Sequence, residues 1–430
     1  MWSRSRPARG LAAGALTLGL LAGCGTTHAS TAAVPGQPMV VQLWESHSGG
    51  PVAAAMAALA KRFNAAHHHV QVRLKITKAS TKALAAVTAG TPPLIAEISH
   101  YDGKFVQSHA LVSLNSFLAG KEGGHPLAVN SLYPAVRTNG EVAGQHYRLQ
   151  ADLKVSEFFY NKAMFSKAGV QPPQTWAGLA AILPKLARHG VIPLAFKDST
   201  AHILSAFRSN GGHYFRPGSQ HSATDFSGRS GVETFGFFRN LYRKHWMILA
   251  HGSTIRTDFG AGRLAIADGT SAGYQKILAA AGGHFPVGAF AFPAGSSGHS
   301  ANMAQGLGFA IFKGHGAAAQ RAAWEWVQWF MQPKQQAYWA MHSGFTPMTA
   351  AGAAAIPASW LKANPGEAVS IGEAASPFTA PRPNRSSYQE VQSAVDAAFF
   401  DVVTGKKPLR AALRALDATD HRYLSGKTAI

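Results

Sequence analysis

Met39-Val40-Val41-Gln42-Leu43-Trp44 is an apolar run of strand length, a buried-strand candidate. Val52, Met56, Leu59 and Phe63 follow at helical spacing, with Pro51 suited to a first helical turn. Val70-Gln71-Val72-Arg73-Leu74-Lys75-Ile76 then alternates strictly, as a half-buried strand does. Strand, helix and strand in that order predict a parallel βαβ unit. The middle of the chain repeats the theme. Glu157-Phe158-Phe159-Tyr160 reads as a strand, 161–168 and 175–189 as helices, Val191-Ile192-Pro193-Leu194-Ala195-Phe196 as a strand, and Arg263-Leu264-Ala265-Ile266-Ala267 as another. The last third turns helical over 317–331 (Trp324, Val327, Phe330), 334–342 and 386–404. In the last of these, Tyr388, Val391, Val395, Ala398 or Phe399, and Val402 make one apolar stripe. The chain is therefore expected to be α/β and to end by packing helices back on earlier parts. It contains no internal repeat.

The first residues follow a different pattern. Arg4, Arg6 and Arg9 precede an apolar stretch, Gly10–Ala22, about half the ~20 residues needed to cross a bilayer. Charged, apolar and then small residues are the order of a secretory signal. Its ending, Leu21-Ala22-Gly23-Cys24, resembles a lipobox, in which the cysteine is lipidated and becomes the first residue. An ordinary signal peptide with a chance cysteine is the alternative, but Cys24 is the only cysteine in the chain. The expected layout is a signal peptide over 1–23 and a lipidated tether over 24–38, small, polar and punctuated by proline. The protein is thus expected outside the cytoplasm, anchored to the cell membrane as a lipoprotein.

What remains is longer than one compact core usually serves, so two lobes are expected. A single cysteine excludes disulfides within the chain and thiolate metal sites. Forty Lys and Arg stand against 20 Asp and Glu, with 20 His besides. The bases are scattered, in runs no longer than the two of Lys406-Lys407, which argues against nucleic acid as a partner. Affinity for anionic lipid or cell wall is a second explanation of the charge. A third is an acidic habitat, where carboxylates would be protonated; it is favoured because acids are scarce everywhere.

Several segments together resemble a known family: VQLWESHSGGPVAAAMAALAKRFN, FFYNKAMFSKAGVQPPQTWAGLAAILPKL, FGAGRLAIADG, SGFTPMTAAG and VTGKKPLRAALRAL. In that order they are similar to the extracellular solute-binding proteins of bacterial ABC importers, in the branch that includes maltose-binding and glycerol-3-phosphate-binding proteins. The resemblance covers nearly the whole chain beyond the leader. It implies a two-lobed periplasmic-binding-protein-like α/β fold of class II type, with a ligand cleft between lobes joined by crossover segments. Lobe 1 would comprise 39–148 with 304–346, and lobe 2 149–303 with 347–425. It also implies a monomer with no catalysis and no cofactor, which holds a sugar or oligosaccharide, or next a glycerol-3-phosphate or glycerophosphodiester, for an ABC permease.

Candidate ligand-binding residues follow from strand ends and from this resemblance. Trp44, Glu45 and Ser46 close the first strand before a glycine turn into a helix, a natural ligand position in α/β sheets. His100, Tyr101 and Asp102 follow the next comparable strand end. Asp152 is an isolated acid beside an apolar strand and needs a partner. Lys197 and Asp198 follow Phe196; the glycerol-3-phosphate binders carry tryptophans in this region and this chain does not. Gln305 and Gly306 resemble the crossover where backbone approaches ligand. Phe345 stands where those binders often have tyrosine, and Arg385 and Tyr388, with Arg382, fall where they place a phosphate-contacting arginine.

Ser271 and Tyr274 carry an ambiguity. Gly269-Thr270-Ser271-Ala272-Gly273 matches G-x-S-x-G between a strand and a helix, the setting of an esterase nucleophile. Asp417 or Glu325 would then be the acid and His342 or His421 the base. In the resembled family the same place is a strand and glycine turn, often with a tryptophan that stacks on sugar. A secreted serine hydrolase is therefore the alternative function, and a wall-binding lipoprotein a third. His67-His68-His69 cannot all face one ion and reads as surface, so no metal is expected.

Overall fold

The structure, a computed structural model, describes residues 37–99, 102–188, 190–219, 221–383 and 385–425. The leader, Cys24, His100 and Tyr101 lie outside the described residues. Ten strands build two five-stranded sheets: β1 (Met39–Glu45), β2 (Val70–Ile76), β3 (Ile95–Ile98), β4 (Leu149–Gln150), β5 (Ser156–Asn161), β6 (Ile192–Phe196), β7 (Met247–Leu249), β8 (Leu264–Thr270), β9 (Val287–Ala291) and β10 (Gly308–Ile311). The first sheet runs β2-β1-β3-β10-β4, and the second β9-β5-β8-β6-β7.

The expected βαβ unit is present. β1 and β2 pair in parallel from Met39↔Val70 to Glu45↔Ile76, joined by the Gly50–Ala66 helix with Pro51 in its first turn. That helix buries Met56, Leu59 and Phe63, and Phe63 meets Trp326 of the Ala317–Phe330 helix edge-on at 5.4 Å. β2 alternates only in its first half, because it is the sheet's edge; Val70 and Val72 are buried while Ile76 is 54% exposed. β10 enters antiparallel between β3 and β4, so residues near 310 complete a sheet begun near 40.

In the second sheet β6 lies parallel to β8 and β7, while β5 is antiparallel to β8 and β9. Its core is phenylalanine-rich: Phe158 stacks on Phe292 at 4.9 Å, and Phe196 and Phe238 both reach Phe399. Phe399 belongs to the Tyr388–Val403 helix, whose stripe Tyr388, Val391, Val395, Phe399 and Val402 is buried as the spacing predicts. The helix expected over 175–189 is shorter, Trp176–Leu186. Thr175 caps it by accepting a hydrogen bond from Gly178 N at 3.0 Å, and Pro184 lies in its last turn.

Crossovers tie the two sheets together. Lys154 and Gln305 exchange backbone hydrogen bonds (3.1 and 3.0 Å), Ser271 N donates to Val155 O, and Thr346 N donates to Leu153 O at 2.7 Å. Gly306 sits here at φ +131, and a Cβ on it would meet Asp152 O at 1.8 Å, so only glycine fits. Among the described residues no helix is long and apolar enough to cross a membrane.

Candidate functional site

Strand alternation decides what β1 offers. Val41, Leu43 and Glu45 point to the buried side, and Trp44 turns the other way, where Lys75 Nζ lies 4.2 Å from its ring centroid. Glu45 therefore enters the interior at the strand's end without Trp44. Its Oε2 accepts from His47 N at 2.8 Å, fixing the turn before the helix. His47 Nε2 then reaches Asp152 Oδ2 at 2.9 Å, on the first crossover, and lies 3.8 Å from Glu97 Oε2 in β3. Ser46 N donates to Glu97 Oε2 at 3.4 Å, and Ser46 Oγ accepts from Ala79 N. Three segments far apart in sequence thus bring Glu45, His47, Glu97 and Asp152 to one place.

The cluster is dry on the acidic side. Glu45 and Glu97 are 0% exposed and Asp152 1%, while the His47 side chain keeps 17% of its surface open. Glu45 Oε1, Glu97 Oε1 and Asp152 Oδ1 are buried with no hydrogen-bond partner. Burial pushes Glu97 well above the usual carboxylate range, helped by Asp152, and burial also raises Glu45. Burial alone would lower His47, but the hydrogen bond to Asp152 and the surrounding carboxylates push it up to about 9. Phe345 lies 5.9 Å from the His47 ring and stacks at 5.7 Å on Trp339. His47, Glu97 and Asp152 offer donor atoms within 4.8 Å of one another, the one grouping of that kind among the described residues.

A basic region stands beside it. Half-buried Lys154 has its ammonium lowered to about 8, by burial first and then by Lys197, Arg382 and Lys276, while Asp152 acts in the opposite sense. Acidic and basic groups therefore lie within electrostatic reach of one side chain. Arg208, Arg216, Arg382, Arg385, His213 and His221 line a cavity of about 880 Å³ between residues 138–143 and the 208–221 segment, with Glu141 the acid on its wall. Burial lowers Arg208, Arg382 and Arg385 below the usual guanidinium range. Arg385 lies over the Phe215 ring at 5.6 Å, and Arg382 over that of buried Tyr388 at 5.5 Å. Burial raises Tyr388 to about 12.

Other expected residues are engaged in the protein itself. Asp102 is held in a buried pair by Arg148, whose Nε and Nη2 reach its carboxylate at 3.0 Å; Arg148 also donates to Asn139 and Gln150. Lys197 N donates to Asp268, which binds buried His202 at 2.8 Å, and Asp198 faces His251 at 3.7 Å. Tyr274 is core, stacked on Phe159 at 5.8 Å and pressed against Gly366. Gln305 Nε2 donates to Ser156 Oγ at 3.3 Å. Of the aromatics among the expected ligand-binding residues, Phe345 alone of the described ones lies against the His47 ring.

Ser271 opens a helical turn after β8, as a nucleophile elbow would, but its buried Oγ has no hydrogen-bond partner. Asp417 accepts from Thr224 and the Phe226 and Ser227 amides, Glu325 pairs with His69, and His342 and His421 bond Tyr338 O and Ser222 O. None of them faces Ser271. A second set of acids is buried elsewhere: Ser370 Oγ donates to Glu157 at 2.9 Å and Asn302 Nδ2 to Glu373 at 2.9 Å. Burial raises Glu157 well above its ordinary value, Glu367 to about 8, and Asp420 to about 8.

Sequence reasoning missed His47, Glu97, Lys154 and Arg208. Glu97 carried the signal that singled out Asp152, an acid inside an apolar run, Leu94-Ile95-Ala96-Glu97-Ile98. His47 lay two residues beyond the strand end that drew attention to Trp44.

A sequence model of the family described as bacterial extracellular solute-binding protein matches residues 58–368. The sn-glycerol-3-phosphate-binding periplasmic protein UgpB of Pectobacterium atrosepticum is 22% identical over 402 residues, 87% of this chain and 88% of that one. Among solved structures, the cyclic alpha-maltosyl-1,6-maltose binding protein of Arthrobacter globiformis superposes with a TM-score of 0.78 at 21% identity, over 91% of this chain and 100% of that one. UgpB of Mycobacterium tuberculosis, in complex with glycerophosphocholine, gives 0.76 at 21%, over 90% and 98%. The sugar-binding protein MalE of Xanthomonas citri gives 0.77 at 19%, over 90% and 98%. These likenesses show a two-lobed periplasmic-binding-protein fold.

Proposed function

Because this chain belongs to the bacterial extracellular solute-binding proteins, we propose that it is the substrate-binding component of an ABC importer. It would capture a small polar solute between lobes 39–148 with 304–346 and 149–303 with 347–425, and deliver it to a permease. β4, which pairs in the first sheet, marks where that division is softest. Lipid on Cys24 would hold the receptor near its permease at high effective concentration.

The basic cavity lined by Arg208, Arg382 and Arg385 carries the choice of ligand. A phosphate-bearing polyol, such as glycerol-3-phosphate or a glycerophosphodiester, suits Arg208, Arg382 and Arg385, each partly or wholly withdrawn from water. A carbohydrate, the first expectation from sequence, is the second reading. It draws on the sugar-binding relatives, but Trp44 and Tyr274 are turned away from the cluster or spent in the core.

A thermal-shift screen of the chain lacking residues 1–23 tests this, using sugars, polyols, glycerol-3-phosphate and glycerophosphodiesters at pH 4 and pH 7. A ligand at about 100 times its Kd adds about 2.7 kcal/mol. A shift with phosphate esters that Arg385→Leu removes is expected. A shift with oligosaccharides alone would transfer the choice to the second reading, and none with any solute would count against the importer.

A further inference from the structure

We propose that His47, Glu97 and Asp152 form a binding site for a divalent transition-metal ion, with Glu45 as an adjoining carboxylate, facing the solute cleft. One imidazole nitrogen with carboxylate oxygens is a donor set of the Zn²⁺, Mn²⁺ and Co²⁺ kind. The geometry suits one ion. Donors at about 2.1 Å around a tetrahedral centre stand roughly 3.3 Å apart, and His47 Nε2 lies 2.9 Å from Asp152 Oδ2 and 3.8 Å from Glu97 Oε2. Closing on a metal would replace the direct His47–Asp152 hydrogen bond and draw together donors that already lie within 4.8 Å of one another.

The unpartnered atoms are a separate observation. Glu45, Glu97 and Asp152 each commit one oxygen to the protein and bury the other without a donor. Glu45, outside the three donors, is itself 0% exposed, so its Oε1 has no water to satisfy it. Buried acceptors in this number, drawn from a chain with only 20 acids, ask for a cation. The partly open His47 side chain gives an entry path and a side on which a further coordination position can open. Building on the solute-binding reading, that position would take a hydroxyl or phosphate oxygen of the solute, so that solute capture would depend on metal.

Zn²⁺, Mn²⁺ and Co²⁺ would be titrated into untagged, chelator-stripped protein lacking residues 1–23, in competition with a colorimetric chelator. One equivalent should bind, with at least tenfold weaker affinity in Glu97→Gln and His47→Gln, and unchanged affinity in the His67→Ala/His69→Ala variant. Should a cluster variant fail to fold, the visible spectrum of the wild-type Co²⁺ form distinguishes a four-coordinate N/O site from hydrated ion. No stoichiometric binding, an aqueous Co²⁺ spectrum, undiminished binding in Glu97→Gln, or binding lost with His67 and His69 would each overturn the site. Repeating the solute screen with Zn²⁺ and with EDTA separates the two readings. A solute shift indifferent to metal removes the bridging role, whereas failure of every solute leaves the metal titration standing and counts against the importer.

Discussion

His47 and Asp152 meet at 2.9 Å although 105 residues separate them, and the contact joins the exit of β1 to the first crossover. It puts a cationic ring among carboxylates at the point where one lobe passes into the other.

Removing that ring should be costly. His47→Ala leaves Glu45, Glu97 and Asp152 buried together, and in chelator at neutral pH it should lose about 3 kcal/mol of stability in urea. Adding Glu97→Gln should recover part of the loss, because the two sites share one network. Strict additivity of the two substitutions would show that they do not interact.

Arg148 sets a comparable test away from the cluster. It is 0% exposed and holds Asp102 by two hydrogen bonds of 3.0 Å. Arg148→Met should destabilise by about 3–5 kcal/mol, since it strands a buried carboxylate. The double variant with Asp102→Leu should be closer to wild type than Arg148→Met alone. A single-variant loss below about 1 kcal/mol would fit an exposed pair instead.

Gly306→Ala should prevent the crossovers from pairing and give little folded protein. The added Cβ would stand 1.8 Å from Asp152 O on a backbone at φ +131. Gly298→Ala is the comparison: its φ is +81 with nothing within 4 Å, so only strain of about 1–2 kcal/mol is expected. Equal losses in circular-dichroism melts would refute the role of the close approach.

Stability should fall as pH rises from about 4 to about 8. Glu367 and Asp420 hold their protons to about 8 in the folded chain, and Glu157 is raised well above its ordinary value. Unfolded, the same groups ionise near 4. The folded state therefore binds more protons across the window, and its advantage is complete below the unfolded values and lost through the folded ones. Urea midpoints measured from pH 4 to 9 should decline, with a shallower slope in Glu367→Gln. A maximum at pH 8 would contradict this and the acidic-habitat reading of the composition.

Ser271→Ala should be nearly silent. A buried hydroxyl without a partner contributes little, so stability should change by less than about 1 kcal/mol in either direction. No esterase activity should be present to lose. Hydrolysis of p-nitrophenyl esters by the wild type, abolished in this variant, would reinstate the nucleophile.

Period-2 and period-3.6 patterns made β1, the Gly50–Ala66 helix and the Tyr388–Val403 stripe legible, because those elements bury one continuous face. Within the candidate cluster, Asp152 drew attention because it contradicts its surroundings, and Glu45 because it closes a strand. Trp44 and Glu45 were read as a pair although a strand must send them to opposite faces. Asp102 drew attention as a ligand contact, but its partner Arg148 lies 46 residues away and no local pattern announces the pairing. His47 gains its meaning from Glu97 and Asp152, 50 and 105 residues distant, and Arg208 from the opposite walls of a cavity, which linear spacing does not encode.

The placement of β10 bears on how the molecule is made. The second sheet is assembled from one continuous stretch, 156–291, whereas the first waits for residues 308–311 to be threaded between β3 and β4. As the chain emerges, the strands of the second sheet can pair with one another while the first still shows open strand edges. Such long-range pairing is slow and exposes sticky intermediates. Neither lobe is finished early: the first sheet waits for β10, and the second core waits for Val391, Val395 and Phe399 of the Tyr388–Val403 helix.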